Sequence, residues 1–177
     1  HGDHYFGLVG LIFTWHLHQR KEDLHIWAPG LLKEIVELQI KISVPNLCFP
    51  LIFHNVEALP DGIICSEKHF TVSKFPLKHR LPTFGYLVKE TGRLGNISKD
   101  FVKQYNPDPE TIRKIKEGAD FTTPDGKTIP NALLVTPVRH HSFAWCSDTA
   151  YHPSVVEYIT DTDVLYHEAT FMKDLQW

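Results

Sequence analysis

Cysteine is sparse and unpatterned in this chain. Cys48, Cys65 and Cys146 lie far apart, are odd in number and show no Cys-x-x-Cys spacing. That spacing gives no disulfide framework and predicts buried free thiols in a reducing, cytoplasmic setting. Long apolar runs are missing as well: no stretch approaches the roughly 18 uninterrupted apolar residues of a membrane span. No secretory signal is visible, although residues upstream of His1 could carry one. There is no internal repeat or low-complexity stretch, and no surplus of basic charge, the net charge being −3. A global signal for nucleic acid is therefore absent, but a nucleic-acid enzyme needs only a local basic strip.

What is present is ordinary in amount and telling in arrangement. The 177 residues are 42% hydrophobic and 22% charged, enough for one domain with a sizeable core. Leu8 to His18 reads as a helix, with Gly7 and Gly10 expected to allow close approach to a neighbour. Leu24 to Trp27 is a short strand ended by the turn Ala28-Pro29-Gly30. Leu31 to Ile42 has helical periodicity, with Leu32, Ile35, Val36 and Leu38 predicted as the buried stripe. Strands are predicted over Leu47–His54, Gly62–Cys65, His69–Leu77, Phe84–Val88, Ala132–Val138, Ser142–Cys146 and Val164–Tyr166. The order is an α/β rhythm.

Between Lys89 and Thr128 the apolar content falls and charges of both signs intersperse. Asp108-Pro109-Glu110 opens a short helix carrying Ile112 and Ile115, since proline is tolerated in a first turn. Thr123-Pro124-Asp125-Gly126 is a turn. This segment reads as an insertion or surface subdomain.

The chemistry is concentrated in four places. His1, Asp3 and His4 open the chain, and Tyr5-Phe6-Gly7-Leu8-Val9-Gly10-Leu11 follows at once. Two imidazoles and a carboxylate packed so tightly suit a loop around one or more cations, of the kind that zinc or manganese provides. A natural protein seldom begins on such a site, so further N-terminal residues are expected. His79 then follows the strand ending Phe75-Pro76-Leu77, Asp148 follows Phe143-Ala144-Trp145-Cys146, and His167-Glu168 follows Val164-Leu165-Tyr166. Strand ends of an α/β sheet converge along one edge, where ligand sites form. Several other histidines, His16, His18, His25, His54 and His69, sit among aromatic and aliphatic residues and are predicted to be structural or on the surface.

These residues together resemble a known family. His1-Gly2-Asp3-His4 with Gly7-Leu8-Val9-Gly10-Leu11 resembles the end of the HxHxDH signature of the metallo-β-lactamase superfamily, in the form seen in the ribonuclease Z branch. Pro76 to Tyr86 resembles that family's third histidine motif with its trailing Gly-Tyr. Ser147-Asp148-Thr149 resembles its bridging-aspartate motif, and His167-Glu168-Ala169-Thr170-Phe171 its HEAT motif. The resemblance implies an αββα sandwich, two mixed sheets flanked by helices, incomplete in this chain. It implies a partial domain over 1–177 with an inserted substrate-binding arm at 89–128.

The implied activity is metal-dependent endoribonucleolytic hydrolysis that removes the 3′ trailer of precursor tRNA and leaves a tRNA 3′-hydroxyl. Two divalent ions, Zn²⁺ or else Mn²⁺, would activate a hydroxide and clamp the scissile phosphate. His1 and His79 are expected on the first ion, Asp3 and His4 on the second, and Asp148 between them. Asp3 would also orient the nucleophile or take its proton. His167, with Glu168, would serve the departing 3′ oxygen. Arg113, Lys114 and Lys116 are the candidate phosphate contacts in the arm, where Tyr105-Asn106-Pro107-Asp108-Pro109 stands in place of the family's Gly-Pro tip; a solvated surface of mixed sign explains the same charges.

The family's first signature histidine would fall two positions before His1 and its last metal histidine beyond Trp177. This length of chain is thus expected to be part of a longer enzyme and not to turn over by itself. A homodimer without membrane attachment is expected from the resemblance. A broader phosphodiesterase or thioester-type hydrolase on the same fold is the alternative enzyme, and a non-catalytic RNA-binding or dimer-forming relic is the alternative of another class. The retained Asp3, His79 and Asp148 speak against the relic.

Overall fold

A computed structural model describes residues 2–44 and 46–170. The chain divides into two compact units, His1–Pro60 and Asp61–Trp177.

The first unit is a βαβ arrangement preceded by a helix. A 3-10 turn over Gly2–His4 leads into α1, Phe6–Leu17. Strand β1, Leu24–Ala28, is followed by α2, Leu31–Ser43, and by β2, Leu51–Asn55. β1 and β2 run parallel, from Leu24 opposite Leu51 to Ala28 opposite Asn55. A parallel pair needs a crossover, and α2 supplies it. The period-2 pattern of β1 sends Ile26 and Ala28 into a core with Ile12, Val36, Ile40 and Phe49.

Three expectations are corrected here. The buried stripe of α2 is Leu32, Val36 and Ile40, spaced by four, whereas Leu38 is 60% exposed and Ile35 lies outside the core. Leu38 sits about 200° around the helix from Val36, on the far face. Strand β2 starts at Leu51 and not at Leu47, because Pro50 has no N–H to place in a ladder and only its carbonyl is used, by Leu24 N–H at 3.0 Å. Among the described residues Gly7 and Gly10 make no close approach to a neighbouring element: a Cβ at either would meet no atom within 4 Å beyond its own helix backbone.

The second unit is built on a five-stranded sheet. Its strands are β3, Gly62–Ser66; β4, Phe70–Pro76; β5, Phe84–Glu90; then, after an intervening segment, a strand over Ser142–Cys146 and another over Val164–His167. That segment contains β6, Asn96–Ile97; α3, Lys99–Tyr105; α4, Pro109–Lys116; β7, Phe121–Thr122; β8, Thr128–Ile129; α5, Asn131–Leu134; and β9, Val135–Thr136. The two later sheet strands are accordingly β10 and β11, with the short helix α6, Val155–Ile159, between them. The sheet order is β11-β10-β5-β4-β3. Only β10 and β11 are parallel, and they are joined through α6. Phe75, Leu77, Leu87, Ala144, Cys146 and Val155 form the core of this sheet and α6. The rings of Phe75 and Tyr158 stack at 5.3 Å.

Residues 96–136 carry a core of their own: Phe101, Ile115 and Leu134 are buried together, with Ile97, Tyr105, Phe121 and Val135 packed around them. Asp108 caps α4, its Oδ1 accepting the N–H groups of Glu110 at 2.9 Å and Thr111 at 3.0 Å, with Pro109 in the first turn as its sequence implied. Ala132 to Val138 is not one strand. Residues 131–134 turn into α5, because the Asn131 amide donates to the Ile115 carbonyl in the last turn of α4 and to the Ala119 carbonyl just beyond it and draws the backbone in. Among the described residues no helix is long and apolar enough to cross a membrane.

Candidate metal centre

The chemistry-bearing residues fall into a set in each unit. In the first, Asp3 and His4 lie on the exposed 3-10 turn ahead of α1, with His4 Nε2 3.4 Å from Asp3 Oδ2. A carboxylate and an imidazole at that separation can share one cation. His1 lies outside the described residues.

In the second unit three candidate loops open from the same edge of the sheet, and the register explains why. β10 and β11 are parallel with Cys146 opposite His167, so Ser147-Asp148 and His167-Glu168 leave side by side. β5 is antiparallel to β10, which puts the start of β5 at that edge, and β4 is antiparallel to β5, with Pro76 opposite Phe84. The β4–β5 loop carrying His79 therefore opens there too.

Hydrogen bonds then tie the loops together. Lys78 N–H donates to Thr149 Oγ1 at 3.1 Å, and Ala150 N–H donates to the Lys78 carbonyl at 2.7 Å. Thr149 N–H donates to Glu168 Oε1 at 3.2 Å. Glu168 N–H donates to the Cys146 carbonyl at 3.1 Å.

The protonation pattern is set by these partners. His79 Nδ1 accepts the Leu81 N–H at 3.2 Å, which leaves the proton of a neutral ring on Nε2. A cation taken up at Nδ1 would replace the Leu81 N–H; one taken up at Nε2 would replace that proton. His167 Nδ1 faces the Glu168 carbonyl at 2.6 Å and so carries a proton, making Nε2 the atom that can gain or lose one. The Glu168 carboxylate is directed elsewhere: Oε2 accepts the Thr170 hydroxyl at 2.7 Å and its N–H at 2.9 Å. The Thr170 bonds foremost, then the Thr149 N–H, hold the Glu168 carboxyl below the usual carboxylate range. Glu168 is thus a clamp on two loops, with its carboxylate on threonines and its carbonyl on His167. Burial pushes the Cys146 thiol up, so it stays protonated and inert.

The donor set fits a borderline-to-hard divalent cation, since it consists of imidazole nitrogens and carboxylate oxygens without thiolate. Three of the histidines read as structural or on the surface have partners of that kind. His16 Nδ1 accepts the Cys48 N–H at 3.2 Å, and His25 Nδ1 meets His54 Nε2 at 2.9 Å with Trp27 stacked on His54 at 4.3 Å. On α4, Arg113 pairs with Glu117 at 3.3 Å and Lys114 with Glu110 at 2.8 Å, both one turn away. Thr149 was not singled out from sequence; its place beside Asp148 in Ser-Asp-Thr was the available signal.

No family model matches the chain. Curated proteins do: ribonuclease Z of Bacteroides thetaiotaomicron is 40% identical over 177 residues, covering 99% of this chain and 56% of that protein. Ribonuclease Z of Parabacteroides distasonis is 38% identical over 172 residues, covering 97% and 57%. Among solved structures, human tRNase Z, short form, superposes with a TM-score of 0.57 at 20% identity, over 98% of this chain and 56% of that one. That likeness assigns the metallo-β-lactamase type of α/β fold. This chain spans a little over half the length of the curated relatives it matches, and along that span it is similar to ribonuclease Z.

Proposed function

We propose that this chain is the greater part of the metal site of a tRNA 3′-processing endoribonuclease, which hydrolyses one phosphodiester to remove the 3′ trailer of precursor tRNA and leaves a 3′-hydroxyl. The observation that carries the reading is 40% identity to a ribonuclease Z over 99% of the chain. The hydrogen bonds that join the loops of His79, Asp148 and His167 support it.

His1 and His79 would hold one divalent ion and Asp3 and His4 a second, with Asp148 shared; Zn²⁺ suits this donor set and Mn²⁺ is the alternative. Such a pair, when bound, lowers the pKa of water and neutralises charge on the phosphate oxygens. The chain's own residues do the rest. Asp3 accepts the proton of the attacking water, and His167 delivers one from Nε2 to the departing 3′ oxygen. The Glu168 carbonyl keeps the other imidazole nitrogen protonated and the ring oriented. Residues 89–128 serve as the arm that grips precursor tRNA, with Arg113, Lys114 and Lys116 on phosphates. The protein acts as a cytoplasmic homodimer.

The test is Asp148→Ala in the full-length protein. Bound metal and cleavage of a precursor-tRNA trailer are expected to fall together. Retention of both by the variant rules the reading out.

A further inference from the structure

The loops bearing His79, Asp148 and His167 meet at one half-buried side chain, Thr149. Its hydroxyl makes two bonds of opposite sense, accepting the Lys78 N–H at 3.1 Å and donating to the Ala150 carbonyl at 2.8 Å. Its own N–H goes to Glu168 Oε1 at 3.2 Å. The Ala150 N–H closes the ring onto the Lys78 carbonyl at 2.7 Å. Lys78 adjoins His79, Thr149 adjoins Asp148 and Glu168 adjoins His167. Every bond therefore acts one residue away from a group assigned to the chemistry. The far side of the clamp is held as well, because Glu168 Oε2 takes both donors of Thr170.

From this we infer that Thr149, braced by the Glu168 carboxylate, is a positioning residue that fixes the separation of His79 from Asp148. The inference rests on the proposed metal role of those two residues. Only a hydroxyl can both accept from Lys78 and donate to Ala150. Valine keeps the shape, loses both bonds and leaves the Lys78 N–H without its acceptor. Serine keeps both. Thr149 reaches neither metal nor substrate in this role, so removing its hydroxyl should loosen ligation and leave recognition of the tRNA body alone.

The test compares Thr149→Val, Thr149→Ser and Glu168→Gln in the full-length protein, with Zn²⁺ alone titrated against a chromophoric chelator and melting of the metal-free protein measured alongside. Groups that hold ligands from behind are worth about 10- to 100-fold in metal affinity. Thr149→Val is expected to lose that much, with kcat for trailer cleavage reduced and KM unchanged, while Thr149→Ser stays close to the parent. Glu168→Gln should fall between, since its amide can accept on one side only. Parent-like Zn²⁺ affinity in Thr149→Val overturns the inference and leaves the proposed function standing, as does a Thr149→Ser variant no better than Thr149→Val. Failure of the unsubstituted protein to bind either Zn²⁺ or Mn²⁺ overturns both. Should Thr149→Val melt early without metal, the serine and glutamine variants carry the comparison by themselves.

Discussion

Gly85 lies opposite Phe75 in the β4–β5 ladder, and the ring of Phe75 lies where a Cβ at Gly85 would go. Phe75 is 1% exposed and cannot swing out without leaving the core of the second unit. These two residues close the hairpin whose loop carries His79, so their fit sets how that loop leaves the sheet. Gly85→Ala is expected to destabilise the protein by about 1–3 kcal/mol through overpacking. Chemical denaturation measures this, and Phe75→Leu in the same chain should recover part of the loss. Additive effects of the two substitutions would show that the ring is not the obstacle.

The core of residues 96–136 should be separable from the main sheet in stability. Among the described residues Ile115 belongs to the cluster of Phe101 and Leu134 with the side chains packed around it, so Ile115→Ala removes packing from that cluster. Such a truncation costs about 2–5 kcal/mol. Hydrogen exchange should then accelerate throughout α3 and α4 and stay slow in β4, β5 and β10. Equal acceleration in the sheet strands would mean that the segment unfolds only with the whole unit.

Asp163 provides an acid-sensitive tie at the start of β11. Its Oδ2 accepts the Ser142 N–H at 2.7 Å and hydroxyl at 3.0 Å, and Arg139 pairs with Oδ1. The Ser142 bonds first, then Arg139, hold its carboxyl below the usual carboxylate value. A lowered folded-state pKa stabilises at pH above the unfolded value, about 3.9, and the contribution fades as pH falls through the folded one. The stability gap between the parent and Asp163→Asn should therefore be constant from pH 5 to 7, taken as an approximate window, and narrow below about pH 4. Urea titrations across that range check it; a gap that widens on acidification contradicts the assignment.

The basic residues of α4 make a contrasting prediction. Arg113 and Lys114 are each paired with a glutamate one turn away, and exposed pairs of this type are weak enough to be exchanged for phosphate. Replacing Arg113, Lys114 and Lys116 together by alanine should weaken precursor-tRNA binding and lower its salt slope by about one unit for each phosphate no longer neutralised. An unchanged affinity and slope would leave α4 as a solvated surface.

Much of this was readable in the residues. Phe6–Leu17, Leu31–Ser43 and the strands β1, β3, β4, β5, β10 and β11 follow local periodicity and turn chemistry, which depend on near neighbours only. The His-Gly-Asp-His, Ser-Asp-Thr and His-Glu-Ala-Thr motifs carried the family resemblance in the same way. Where a face had to be chosen, sequence reasoning faltered. Ile35 and Leu38 are as apolar as Val36, and only the packing of α2 into the core with Ile12, Ile26, Ala28 and Phe49 decides which of them is covered. Asn131 turns Ala132–Leu134 into a helix because its amide finds two carbonyls that are 12 and 16 residues away.

The same division holds at the candidate site. Sequence alone determined which candidate ligand types exist and that His79, Asp148 and His167 lie at or just after strand ends, because strand periodicity and loop chemistry are local. Tertiary structure decided that Lys78, Thr149 and Glu168, up to 71 residues apart along one pair, share hydrogen bonds. It also decided that the Glu168 carboxylate faces threonines while its carbonyl faces His167. Pairing of that kind comes from the antiparallel and parallel register of β4, β5, β10 and β11, a long-range property to which no single segment holds the key.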